Sequence, residues 1–199
     1  MRYLIVCGGK IDKEFGLNEI KTDGIDAIIA ADSGMDFLYE NGVTPDIIVG
    51  DFDSATTKAL EYFERKGQTE IHRLNPIKDD TDTEYAIRLA IREGARSIVM
   101  LGATGSRIDH VLGNISLLGI GLESKTDISI IDTNNRIRMA DKPVTIEKSA
   151  QYGRFVSLIA VTDDNEVSLR GFKYPVTDYS FDRFTSLGIS NEIVDDHAP

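Results

Sequence analysis

The sequence predicts an α/β domain built on a doubly wound, mostly parallel sheet with helices on both faces, followed by a small antiparallel β-sandwich. Three observations predict it. Four apolar runs, Tyr3-Leu4-Ile5-Val6, Ala27-Ile28-Ile29-Ala30, Asp46-Ile47-Ile48-Val49 and Ser97-Ile98-Val99-Met100-Leu101, show no polar alternation, which is how strands buried on both faces read. Longer amphipathic stretches lie between and after them, at 34–41, 54–66, 83–93 and 110–123, in the βαβα rhythm of a sheet covered by helices. From about Ile128 that rhythm gives way to short runs, several with two-residue alternation. The expected division is therefore 1–127 and 128–199.

Taken in order, the first run ends at Cys7-Gly8-Gly9. It is too short for a secretory signal and reads as a first strand. The helix at 83–93 carries a capping box, with Thr81 three residues before Glu84, and then places Ala86, Ile87, Ala90 and Ile91 on one side. In the C-terminal part the short runs fall at 128–131, 136–139, 144–146, 155–161, 167–169 and 190–194. Thr133-Asn134-Asn135, Asp163-Asp164-Asn165 and Lys173-Tyr174-Pro175 separate them as turns. A domain of roughly 60–70 residues buries too little surface to stand comfortably alone. It is expected to lean on the α/β domain or on a second chain.

Composition narrows the function classes. The 199 residues carry 41% hydrophobic and 28% charged residues and a net charge of −11. That surface does not hold nucleic acid by phosphate neutralisation. No run of about 18 apolar residues spans a membrane. The single cysteine, Cys7, rules out an intrachain disulfide and fits a reducing cytosol, so a cytoplasmic location is expected.

Open α/β sheets bind ligands beyond the carboxyl ends of their strands. The segments that follow the apolar runs are Asp32-Ser33-Gly34, Gly50-Asp51-Phe52-Asp53-Ser54, Lys78-Asp79-Asp80-Thr81-Asp82 and Gly102-Ala103-Thr104-Gly105-Ser106-Arg107-Ile108-Asp109-His110. Asp51 and Asp53 stand two apart at a strand end and point the same way in extended chain. Their repulsion is relieved by a hard divalent cation, and oxygen ligands suit magnesium. Asp79, Asp80 or Asp82 can add a ligand, although Asp80 and Asp82 also suit a helix cap. The 102–109 turn and the helix after it can wrap phosphate or ribose with backbone N–H groups. Arg107 offers a guanidinium fork and Lys78 a point charge. His110 suits a cap as well as a base. Neither a P-loop nor a G-x-G-x-x-G fingerprint occurs.

These segments, in this order, resemble the thiamine pyrophosphokinase family. The likeness continues through Leu169-Arg170-Gly171-Phe172-Lys173-Tyr174-Pro175 and Ser186-Leu187-Gly188-Ile189-Ser190-Asn191-Glu192. The resemblance implies a catalytic α/β domain joined to a thiamine-binding β-sandwich, ATP as donor, AMP as second product, and magnesium. It also implies a homodimer whose thiamine sites are shared between subunits. By position it assigns metal binding to Asp51, Asp53 and Asp79. The nucleotide and diphosphate fall to Asp32, Lys78, Asp82, Thr104, Arg107, Asp109 and His110. The thiamine ring falls to Ser190 and Asn191. Some members carry a tryptophan near thiamine, and this chain has none; Tyr179, Phe181 and Phe184 are the alternatives. The base for the hydroxyl is Asp79, Asp32 or no residue at all. Two other readings remain open on the sequence: a phosphatase using Asp51-x-Asp53 as an aspartyl nucleophile, and a non-catalytic thiamine- or nucleotide-binding regulator.

Overall fold

The computed structural model describes residues 1–52, 56–75 and 80–199. Of the residues singled out above, Asp53, Lys78 and Asp79 lie outside the described residues. The chain divides into two compact units, Met1–Met139 and Ala140–Pro199.

The first unit runs β1 (Arg2–Val6), α1 (Lys13–Ile20), β2 (Ala27–Ala31), α2 (Gly34–Glu40), β3 (Ile47–Gly50), α3 (Thr57–Lys66), β4 (Glu70–Arg73), α4 (Asp82–Arg92), β5 (Ser97–Leu101), α5 (Ile108–Ser124), β6 (Asp127–Ile131) and β7 (Arg136–Arg138). Its seven strands lie in the order β4-β3-β2-β1-β5-β6-β7. All pairs are parallel except β6 with β7. The order reverses at β1: three strands are laid to one side before the chain crosses over to place β5 and β6 on the other.

Strand periodicity sorts the side chains into two cores. Tyr3, Ile5 and Cys7 point to one face, where they join Ala86, Ile87 and Ala90 of α4 and Leu118 of α5. Leu4 and Val6 point to the other and meet Met35 and Leu38 of α2 and Ala59 and Phe63 of α3, with Phe15 and Ile20 of α1 packed alongside. The apolar runs lack alternation because both faces are covered.

Helix α1 and the domain boundary both depart from the sequence expectation. Helix α1 has no clear apolar stripe, yet Asp12 caps it by accepting the Phe15 N–H at 2.9 Å. Its Gly16 packs so closely that a Cβ there would come within 2.7 Å of Phe37. The boundary expected at 127/128 falls instead after Met139. Strand β6 pairs with β5, and β7 turns back antiparallel on β6, so both belong to the large sheet. Ile128 and Ile130 pack into the α4–α5 core, which a strand of a separate sandwich would not do.

The second unit holds β8 (Ile146–Glu147), β9 (Asn165–Leu169), β10 (Val176–Phe181) and β11 (His197–Ala198). They form two small antiparallel pairs, β9 with β10 and β8 with β11. Single bridges, Val156 to Asn191 and Phe172 to Ile193, add to them. The core is small: Leu169, Phe172, Ile193 and Ala198, with Ile146, Val156, Leu158, Val167 and Val176 around them. Strand β10 reads poorly in sequence because it is interrupted. The register shifts between Val176 and Tyr179, and Asp178 adopts φ 46°. The Ser168 hydroxyl holds that bulge, accepting the Asp178 N–H and donating to its carboxylate.

Candidate active site

The carboxyl ends of β1, β2, β3 and β5 converge, and glycines let them come close. A Cβ on Gly34 would sit 1.9 Å from the Val6 carbonyl oxygen, and one on Gly9 would sit 2.3 Å from that of Gly102. Gly102 itself has φ +66°, which glycine adopts without strain. These contacts bring the turns after β1, β2 and β5 together at the strand-order reversal, the usual ligand crevice of such sheets.

Beside it, Asp32, Asp51 and Asp82 each offer a carboxylate oxygen, and the three oxygens lie within 4.8 Å of one another. Each residue is half-buried. Asp32 leaves β2 with φ 47°, and Phe52, just beyond Asp51, has φ 64°. Left-handed backbone at non-glycine positions is uncommon and gathers at functional sites. The Asp32 N–H still donates to the Val49 carbonyl at 2.8 Å, so the sheet holds the residue in that conformation. Asp82 is the first residue of α4. Thr81 is the cap, its hydroxyl accepting the Glu84 N–H at 3.2 Å. Asp82 is therefore not spent as the cap and stands at the positive end of the helix. The Glu84 carboxylate does not complete a reciprocal box but binds Arg88 one turn on.

Two like charges about 5 Å apart repel by about 3 kcal/mol at an effective dielectric of about 20. A set of three carboxylates suits a hard divalent cation with oxygen ligands. The sequence grouped Asp51 with Asp53 and offered Asp79, Asp80 or Asp82 as a further ligand; among the described residues Asp51 stands with Asp82 and with Asp32, which the resemblance had placed on the nucleotide.

The turn after β5 is braced from two sides. Asn114 of α5 donates its amide to the Ala103 carbonyl at 2.7 Å, and the Thr104 hydroxyl donates to Asp132 at 2.8 Å. Neither Asn114 nor Asp132 was singled out in the sequence. The signal for Asp132 was there: it follows the apolar run of β6 as Asp32 follows β2, but that run had been placed in the other domain. Arg107 pairs with Asp109 at 2.7 Å, both exposed. That hydrogen bond raises the Arg107 pKa and holds the Asp109 carboxyl below the usual carboxylate range. Arg107 thus stays charged, with its fork turned to Asp109. His110 is exposed in the first turn of α5.

In the second unit, Ser190 is exposed with φ 59° and donates its N–H to Ser157 Oγ at 3.0 Å. Asn191 is buried. Its side-chain oxygen accepts the Tyr174 and Glu192 N–H groups at 3.1 and 2.9 Å, and its amide donates to the Tyr174 carbonyl at 2.8 Å. Asn191 therefore ties two chain segments together, and Ser190 presents the exposed face. Of the aromatic alternatives, Phe181 is core, Tyr179 is partly exposed against it, and Phe184 is 89% exposed.

Comparison with known proteins matches both units. Residues 21–131 match the family model for the catalytic domain of thiamin pyrophosphokinase, and residues 143–199 match its vitamin B1 binding domain. The chain is 36% identical over 168 residues to the thiamine pyrophosphokinase of Bacillus subtilis, covering 83% of this chain and 78% of that protein. The solved structure of the Bacillus subtilis protein superposes with a TM-score of 0.87 at 32% identity, over all of this chain and 92% of that one. The thiamin pyrophosphokinase structure from Geobacillus thermodenitrificans gives 0.83 at 30%, over all of this chain and 91% of that one. With both units matched in order and the acidic crevice between the strand ends in place, this chain belongs to the thiamine pyrophosphokinase family.

Proposed function

We propose that this protein transfers a diphosphate group from ATP to the hydroxyl of thiamine, forming thiamine diphosphate and AMP. The observation that carries the proposal is the convergence of Asp32, Asp51 and Asp82 in a chain whose two units both match this family. In-line attack of a hydroxyl on the β-phosphorus needs positioning and charge neutralisation more than covalent catalysis. Magnesium held by the carboxylates, with Asp53 and Asp79 as further candidates, would supply charge neutralisation at the diphosphate oxygens.

The chain's own residues do the rest. Arg107 exchanges its bond to Asp109 for the phosphate, a swap between two anions that costs little because both groups are exposed. Lys78 is a second candidate for that charge. Asp109 and His110 sit in the first turn of α5, where N–H groups face an anionic ligand. Asp79 and Asp32 are the candidates to receive the hydroxyl proton, and a phosphate oxygen can take it as well. Ser190 contacts thiamine, and Asn191 holds the segment that presents it. We place the reaction in the cytoplasm, on the strength of the lone, buried Cys7.

The protein works as a homodimer in this proposal, with each thiamine site drawing residues from both subunits. Supporting that, the second unit leaves Phe155, Ile159, Val161, Phe184, Leu187 and Ile189 exposed, apolar side chains that a partner subunit would cover. The deciding experiment is an AMP-release assay. AMP should form only when thiamine, ATP and magnesium are all present; AMP formation without thiamine would overturn the proposal.

A further inference from the structure

Thr104 stands in the turn after β5, and its hydroxyl hydrogen goes to Asp132 Oδ2 at 2.8 Å. Asp132 follows β6, and its other oxygen accepts the Asn134 and Asn135 N–H groups, each at 2.8 Å. The Asn135 side-chain amide reaches Oδ1 at 3.0 Å and Oδ2 at 3.1 Å. The Asp132 N–H closes the turn by donating to the Asn135 carbonyl at 2.9 Å. The carboxylate is thus fixed by its own turn, independently of any ligand. Burial pushes its pKa up, but the hydrogen bonds from Asn134, Asn135 and Thr104 outweigh this and leave it below the usual carboxylate range.

An ionised carboxylate only accepts hydrogen bonds, and a threonine hydroxyl has a single hydrogen to give. Thr104 gives that hydrogen to Asp132 and therefore turns only lone pairs toward anything else. The turn is also braced against shifting. Asn114 holds the Ala103 carbonyl, and the Thr104 carbonyl passes so close to Gly9 that a Cβ there would come within 2.6 Å.

We propose that Asp132 is a positioning residue that makes the Thr104 hydroxyl an obligate acceptor, so that this part of the turn selects a neutral hydrogen-bond donor of the nucleotide and turns phosphate oxygens away. The donor is a ribose hydroxyl or the adenine amino group. The inference rests on the proposed ATP site and divides it by polarity. Phosphate oxygens carry no hydrogen and would meet the Thr104 lone pairs, so the phosphates lie toward Arg107 and the acidic cluster.

Asp132→Asn tests it. The side-chain oxygen can keep the Asn134 and Asn135 N–H groups while the new amide faces Thr104, which must then accept and turn its hydrogen outward. The KM for ATP should rise about tenfold, the usual cost of one well-made hydrogen bond, with kcat changed less than about twofold. Three analogues locate the donor: 2′-deoxyATP and 3′-deoxyATP lack a ribose hydroxyl, and ITP replaces the amino group with an oxygen. The wild type should bind one of them about tenfold more weakly than ATP, and Asp132→Asn should erase that preference. Thr104→Val should erase it too, Thr104→Ser should keep it, and Asp132→Asn added to Thr104→Val should change it no further.

A wild type that treats all three analogues like ATP overturns the inference. So does an Asp132→Asn variant that keeps the preference and loses only melting temperature, which would mark Asp132 as structural. Should Asp132→Asn fail to fold, the Thr104→Val and Thr104→Ser pair decides alone. Failure of the wild type to bind ATP at all, by calorimetry, is distinguishable: it removes the ATP site itself, and the inference with it.

Discussion

Among single residues, the acidic cluster makes the sharpest demand. Asp51→Asn should abolish thiamine-dependent AMP release while leaving the fold intact. Without magnesium the variant should melt no lower than the wild type, because the substitution removes the repulsion of Asp51 with Asp32 and Asp82. Full activity would remove Asp51 from the site. Cys7 gives a pH test. Burial pushes its thiol pKa up to about 12 from 9.0, and a hydrogen bond from Thr83 opposes this only in part. The unfolded thiol ionises first as pH rises, so the stability associated with it is complete below about 9 and declines above. Cys7→Ala should flatten the loss of stability between pH 9 and 11, and native Cys7 should resist alkylation until the chain unfolds. The sequence placed Cys7 at the end of a buried strand and offered Asp51 as a candidate ligand. It did not show that Asn191 ties two chain segments together, because a buried amide and an exposed one are the same letter. Asn191→Ala leaves the Tyr174 and Glu192 N–H groups without their acceptor and should cost the second unit about 2–4 kcal/mol. Ser190→Ala should weaken thiamine binding with little change in denaturation midpoint.

Elements were legible where local signals agreed. Strands β1, β2, β3 and β5 announced themselves through uninterrupted apolar runs, and α4 through Thr81 and its apolar side. Thr81→Ala should cost about 1 kcal/mol in urea denaturation, and because α4 carries Asp82 it should also weaken activation by magnesium. A cost in stability with an unchanged magnesium requirement would separate the cap from the site. Helix α1 was not legible, since its stability comes from Asp12 and from the fit of Gly16 on Phe37. Strand β10 was hidden by the bulge at Asp178. The fit of Gly16 on Phe37 and the bonds of Ser168 to Asp178 are both contacts with another part of the chain. Gly34 shows the same dependence: its helix was expected, but the need for glycine comes from the Val6 carbonyl on a neighbouring strand. Gly34→Ala should cost more than about 2 kcal/mol.

At the scale of the whole molecule, the proposed shared site predicts complementation. On that proposal Asp51→Asn and Ser190→Tyr should each inactivate the homodimer, the first through the carboxylates and the second through the thiamine contact. In a mixed dimer with two-fold symmetry one site collects both lesions and the other neither. Co-refolded mixed dimers should approach half the wild-type rate; inactive mixed dimers with both parents folded would show that each chain holds its own site.

The sequence by itself determined the α/β class, the change of rhythm toward the C-terminus, and the acidic and glycine-rich segments at strand ends. These follow from periodicity and residue chemistry, which are local. Tertiary structure alone decided three things: that β6 and β7 complete the large sheet, that Asp51 meets Asp32 and Asp82, and that Thr104 is bound to Asp132. Each depends on which strands become neighbours. The order β4-β3-β2-β1-β5-β6-β7 brings together residues far apart in the chain, as it does Thr104 and Asp132, 28 positions apart. Pairing at that distance is selected by burial over the whole sheet, and no stretch of sequence carries it alone.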